Sequence, residues 1–242
     1  MAKSKARQKS LSAKTFDGTW NLFVKHWKLL LSLAAIQAAF DFTILNTAFK
    51  DVRDYLYDSE GIETFTDFVE NAPANLSPYL TISLLVGLIM AGAFIGSLIT
   101  IIRDKKEINL FGALRYGVDH FWALFSIAIV VGLIVMVGLS LLIVPGAIAA
   151  VLLMFSFHVR LDQEIGIVDS MKESLRVVRV DWKQLLYVLL GIIGVAIAGD
   201  LIGRALSSAL NTTGASAITL LLTIPTSTYM AVMFTKAYFV FK

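Results

Sequence analysis

Apolar residues run in long blocks along this chain, and polar residues gather between them. The clearest block is Phe121–Phe157, 37 residues without an Asp, Glu, Lys or Arg. A single helix of that length would measure about 55 Å, against a hydrocarbon core of about 30 Å. Two spans joined at Pro145-Gly146 are therefore expected, because proline removes a helical donor and glycine releases the backbone. Applied along the chain, the same criterion gives spans at about 27–49, 78–102, 121–144, 147–159, 185–206 and 215–239. The expected fold is all-α: a polytopic membrane protein of six transmembrane helices in three hairpins.

Between the blocks a helical period appears. Phe16, Trp20, Phe23 and Trp27 fall on one face of a first amphipathic stretch. Leu110, Phe111, Leu114, Val118 and Phe121 do so in a second, and Ile167, Met171, Leu175, Val178 and Trp182 in a third. Each stretch closes on an aromatic residue (Trp27, Phe121, Trp182) at the start of a span. His26 and His120 coincide when Trp27 is set against Phe121. Each hairpin is thus expected to follow an interfacial helix lying along the membrane edge. Asp169 or Ser170 is the expected cap of the third, with Glu173 at the capping-box position. Residues 1–14 read as a disordered basic tail, and 15–242 as one membrane domain.

Composition agrees with this pattern. The chain of 242 residues is 57% hydrophobic and 16% charged, and its mean hydropathy is +0.75. A soluble domain has about 45–50% apolar and 25% charged residues. Charge then sets the orientation. Of 21 Lys and Arg, only Lys50, Arg53 and Arg204 fall on the side opposite the termini in a six-span arrangement. The positive-inside rule places both termini in the cytoplasm. The net charge of +3 is that of membrane-flanking loops, and nucleic acid is not an expected partner. Without cysteine, thiolate chemistry and disulfides are excluded. The acidic connection 50–77 has seven carboxylates and reads as a solvated loop or a docking surface.

Polar groups inside or beside the spans are the candidate sites. Asp41 in span 1 is either a structural hydrogen-bond acceptor or a proton, ion or substrate site. Asp200 and Arg204, four apart on span 5, can pair on one helix face. His158, Arg160, Asp162 and Glu164 cluster at the inner end of span 4, where an acid can pair with Arg176 or Arg179. HVRLDQE has no zinc-ligand spacing, and Walker, HExxH and nucleophile-elbow signatures are absent. No catalytic, cofactor or metal site is expected. Small residues at Gly87, Ala91, Gly92, Ala93 and Gly96, and at Gly191, Gly194, Ala198, Gly199 and Gly203, predict closely packed spans. Pro225 predicts a kink in span 6.

The block Leu141–Leu186 resembles the central part of the YciC-like inner-membrane proteins of Gram-negative bacteria. The resemblance rests on Leu142-Ile-Val-Pro-Gly146, and on Ile165-Gly-Ile-x-x-Ser-Met-Lys-x-Ser-Leu-Arg176, and it extends to the NLSP before span 2. More distantly the block is similar to the membrane domain associated with glycerophosphodiester phosphodiesterases. In that pattern Ser174, Trp182 and Glu164 match recurrent positions, none with a catalytic role. The resemblance implies the fold and an inner-membrane address, and no substrate. The expected function is a non-enzymatic structural or envelope-homeostasis role through membrane lipids or an envelope protein partner. The alternative is a small transporter or permeation pathway for a lipid-like or weakly polar solute.

Overall fold

The computed structural model describes the backbone of residues 2–52, 72–207 and 212–242, and their side chains except 2–14, Asp17, Arg204, 206, 207 and 212–223. Its long elements are all helices: α1 (Ala2–Thr47), α2 (Leu76–Arg103), α3 (Leu110–Asp119), α4 (Phe121–Leu141), α5 (Ile143–Leu153), α6 (Ser156–Gln163), α7 (Ile167–Val180), α8 (Trp182–Ser207) and α9 (Thr212–Phe241). Among the described residues, five segments are long and apolar enough to cross a membrane: Gly18–Thr47, Leu76–Arg103, Phe121–Leu141, Ile143–Gln163 and Trp182–Gly203. Their large apolar side chains face outward in numbers that a water-soluble protein rarely exposes. Leu133, Val137, Leu141 and Ile143 on α4 and α5, and Leu190, Ile193, Ile197 and Leu201 on α8, are all exposed. The chain is an all-α, membrane-embedded protein.

Three helix breaks fall directly before the junction aromatics. His26 is the one non-helical residue inside α1 (φ −115°, ψ 18°). His120 separates α3 from α4 (φ −99°, ψ 6°), and Asp181 separates α7 from α8 (φ −153°, ψ 68°). All three directly precede the aligned aromatics Trp27, Phe121 and Trp182, so the period read from sequence is also a period of backbone geometry. The first amphipathic stretch and the first span meet at the kink at His26, which divides α1 into two helical segments. The backbone of α1 also runs through residues 2–14. That segment is rich in Ala, Lys, Arg and Gln, all good helix formers.

The rim helices bury small residues together with only part of their apolar stripes, such as Val178 in α7 and the half-buried Leu110 and Leu114 in α3. Thr15 and Thr19 are buried, as are Ala113 and Gly117 in α3 and Ser170 and Ser174 in α7. Phe16, Trp20, Phe111, Val118 and Val168 are exposed. Thr19, Ala113 and Ser174 each lie eight residues before the junction aromatic. Small residues let backbones approach without lipid between them. At Gly117 the approach is closest: a Cβ there would lie 2.1 Å from the carbonyl oxygen of Ile89 on α2.

Three further expectations are corrected. The turn after α4 falls at Leu142, which is extended (φ −161°, ψ 144°), and Pro145 sits in the first turn of α5. A proline there costs nothing, since the first-turn amides have no intrahelical partner. Gly146 serves close packing instead, its backbone pressed against Gly138, where an added Cβ would meet it at 2.8 Å. The fourth span is longer than 147–159, running Ile143–Gln163 with a break at Met154–Phe155. Helix α7 begins after Gly166 with no side-chain cap, not at Asp169 or Ser170.

The largest buried cluster joins α6 to α9: Phe155, Val159, Val177, Val178, Leu185, Val188, Met233, Ala237, Tyr238 and Phe241. Helix α1 packs more extensively on α9 than on α2, which sets the first span beside the last. Helix α9 continues through Pro225 as one element.

Candidate functional site

Helices α2, α6 and α9 bring their C-terminal ends together around Asp162. Its side chain is wholly buried. Tyr238 donates its hydroxyl to Oδ2 at 2.8 Å, and the Lys242 ammonium also reaches Oδ2. Arg103 Nη1 donates to Oδ1 at 3.2 Å and to the Asp162 carbonyl at 2.7 Å. A buried carboxylate is tolerated only when paired and hydrogen-bonded. Here two cations supply the charge, and both stand at helix C-termini, where the dipole favours them. Tyr116 of α3 adds a bond from its hydroxyl to the Leu161 carbonyl at 3.3 Å. Burial pushes the Tyr116 phenol up, which keeps it a donor. The ring occupies the space left by Gly96, where an added Cβ would lie 2.1 Å from it.

One turn earlier on α6 is His158, buried among the rings of Phe155, Phe234 and Tyr238 at 5.3–6.0 Å. Its Nε2 is 3.1 Å from Thr235 Oγ1. His158–Thr235 and Asp162–Tyr238 are successive rungs between α6 and α9. Both run in ascending sequence order on both helices, so α6 and α9 lie parallel.

His158 also lines a cavity of about 610 Å3 among α1, α2, α6 and α9. Its walls are mainly apolar, including Leu33, Met90, Phe94, Phe157 and Phe234. Gln37, Ser227, Thr228 and Thr235 are its other polar lining groups. The Ser227 and Thr228 hydroxyls are satisfied by the Ile224 carbonyl, at 3.1 and 2.6 Å. His158 Nδ1 and Gln37 Oε1 are buried without a hydrogen-bond partner.

The sequence candidates separate. His158 and Asp162 share one face of α6. Asp41, partly buried, accepts from Gln37 Nε2 at 2.8 Å, one turn from the cavity it does not line. Glu164 is exposed and ends α6 in the left-handed conformation (φ 54°). Asp162 pairs with Arg103 and Lys242, while Arg176 pairs with Glu173 in its own helix, so the expected bridge from Asp162 or Glu164 to Arg176 or Arg179 is replaced. The Arg160 guanidinium instead bonds the Ile165 carbonyl. Asp200 is exposed on α8, whereas the Arg204 side chain, and with it the expected pair, lies outside the described residues. So does most of the acidic connection, residues 53–71. No cluster of three metal-ligating side chains occurs among the described residues.

Sequence reasoning missed Arg103, Tyr238 and Lys242. They stand 59, 76 and 80 residues from Asp162, and each looks like an ordinary membrane-edge residue by itself. Comparison with known proteins returns no family, no curated relative and no solved structure that matches the chain.

Proposed function

We propose that this is an integral protein of the bacterial inner membrane, with six spans in three hairpins and both termini cytoplasmic. It acts without catalysis, through lipid and protein contacts, in a structural or envelope-homeostasis role. The observation that carries the lipid contact is the outward face of the rim helices and junctions. Trp20, Trp27, Trp122 and Trp182, all the tryptophans of the chain, are 48–72% exposed, three of them at or next to the junction aromatics and Trp20 two turns earlier in the first amphipathic stretch. Tryptophan favours the headgroup level of a bilayer. The meeting of the α2, α6 and α9 C-termini at Asp162 supports even-numbered spans ending on one side. The resemblance of Leu141–Leu186 to YciC-like proteins supports the inner-membrane address.

The test is tryptophan quenching in vesicles of brominated phosphatidylcholine. Bromines near the headgroup are expected to quench more strongly than bromines near the chain ends. Equal or weaker shallow quenching would overturn the interfacial placement. The second reading, a permeation pathway for a lipid-like solute, is favoured by the cavity at His158. It predicts accelerated transbilayer movement of such a solute in proteoliposomes.

A further inference from the structure

The cavity at His158 has a hydrogen-bonding character that its own geometry defines. Thr235 Oγ1 donates to the Ala231 carbonyl at 3.0 Å, so it meets His158 Nε2 as an acceptor. A neutral imidazole with its proton on Nε2 presents Nδ1 as an acceptor. Gln37 points its amide nitrogen at the Asp41 carboxylate, which leaves Oε1 as an acceptor too. Both unpartnered groups therefore ask for donors, and none of the lining residues carries a charge. A buried polar group without a partner costs on the order of 1–3 kcal/mol. The volume lies in the range of about 300–1,000 Å3 that small-molecule sites occupy.

We propose that this cavity is a binding site for an uncharged lipid bearing a free hydroxyl group, which donates to His158 Nδ1 while its chain fills the apolar remainder. An anionic lipid would bring a charge to walls that offer no cation and an acceptor to groups that are already acceptors. The proposal rests on the membrane-embedded reading, not on the envelope role or on the topology.

The test uses the full chain in phosphatidylcholine nanodiscs and a monoacylglycerol with a photoreactive diazirine in its chain. Crosslinks are expected on peptides holding Phe94, Met154 or Phe157. Unlabelled monoacylglycerol should compete about tenfold or more better than its di-O-methyl ether or the fatty acid of equal chain length. His158→Leu should lose this preference. Because it also removes the Thr235 bond, a second variant guards against misfolding. An added Cβ at Gly87, a lining residue, meets nothing within 4 Å, so Gly87→Leu should block crosslinking with an unchanged melting temperature. Equal competition by ether and alcohol, or undiminished crosslinking in folded Gly87→Leu, would overturn the site. So would an absence of cavity crosslinks in folded wild-type protein, as when water alone meets the two acceptors. Failure of the membrane-embedded reading would show separately, as release of the chain from native membranes by carbonate.

Discussion

Ser174 closes the break in the fourth span at Phe155: its Oγ accepts the Phe155 amide at 3.2 Å and donates to the Leu152 carbonyl at 2.9 Å. A helix interrupted in a membrane leaves backbone groups that lipid cannot satisfy. The rim helix α7 supplies the missing partner from 19 residues away. Ser174 thus has a structural task here. Ser174→Ala should leave both groups unpaired and destabilise the fold by about 1–3 kcal/mol, read as a lower melting temperature in detergent. Ser174→Thr keeps the hydroxyl and should retain more of the stability if the pocket accepts the extra methyl. An alanine variant as stable as wild type would refute the task.

Asp162 concentrates the ties between three helix ends. Asp162→Asn keeps the size but removes the charge facing Arg103 and Lys242, and a loss on the order of 2–4 kcal/mol is expected. Both cations are partly exposed, 46% and 35%, and can turn to water, so the lower part of that range applies. Tyr238→Phe removes one bond to the same carboxylate and should cost less, about 1–2 kcal/mol. Thermal unfolding of both variants in one lipid–detergent mixture gives the order, and the reverse order would contradict the arrangement.

Two glycines on or facing α2 should respond in opposite directions. At Gly117 an added methyl meets the Ile89 backbone oxygen, so Gly117→Ala must push α3 from α2 and should destabilise by about 1–3 kcal/mol. At Gly87 there is open space, and Gly87→Ala should be neutral or stabilise by up to about 1 kcal/mol through the helix backbone. Melting temperatures of the pair decide it.

The proposed topology is testable with single cysteines, because the chain has none of its own. Asp58→Cys should react with an impermeant maleimide in intact cells freed of outer membrane. Glu107→Cys and Lys172→Cys should react only after lysis. Labelling of all three from outside, or of Lys172→Cys alone, would overturn the arrangement.

Hydropathy and aromatic spacing were sufficient to find the apolar helices and the threefold period, because lipid imposes length and composition on every crossing segment. The junction aromatics Trp27, Phe121 and Trp182 even located the backbone breaks before them. The buried face of each rim helix was legible only in part: Val178 and the half-buried Leu110 and Leu114 come from the apolar stripes. Lipid tails and protein interiors are equally apolar, so a stripe such as Phe111 and Val118 does not say which of the two it meets. Close packing added Thr19, Ala113, Gly117 and Ser174 to those faces, since backbone approach depends on size and not on hydropathy. The partners of Asp162 and the acceptors in the cavity also belong to the tertiary structure alone. Periodicity relates residues a few positions apart, whereas Arg103, Tyr238 and Lys242 reach Asp162 only once three helix ends have converged.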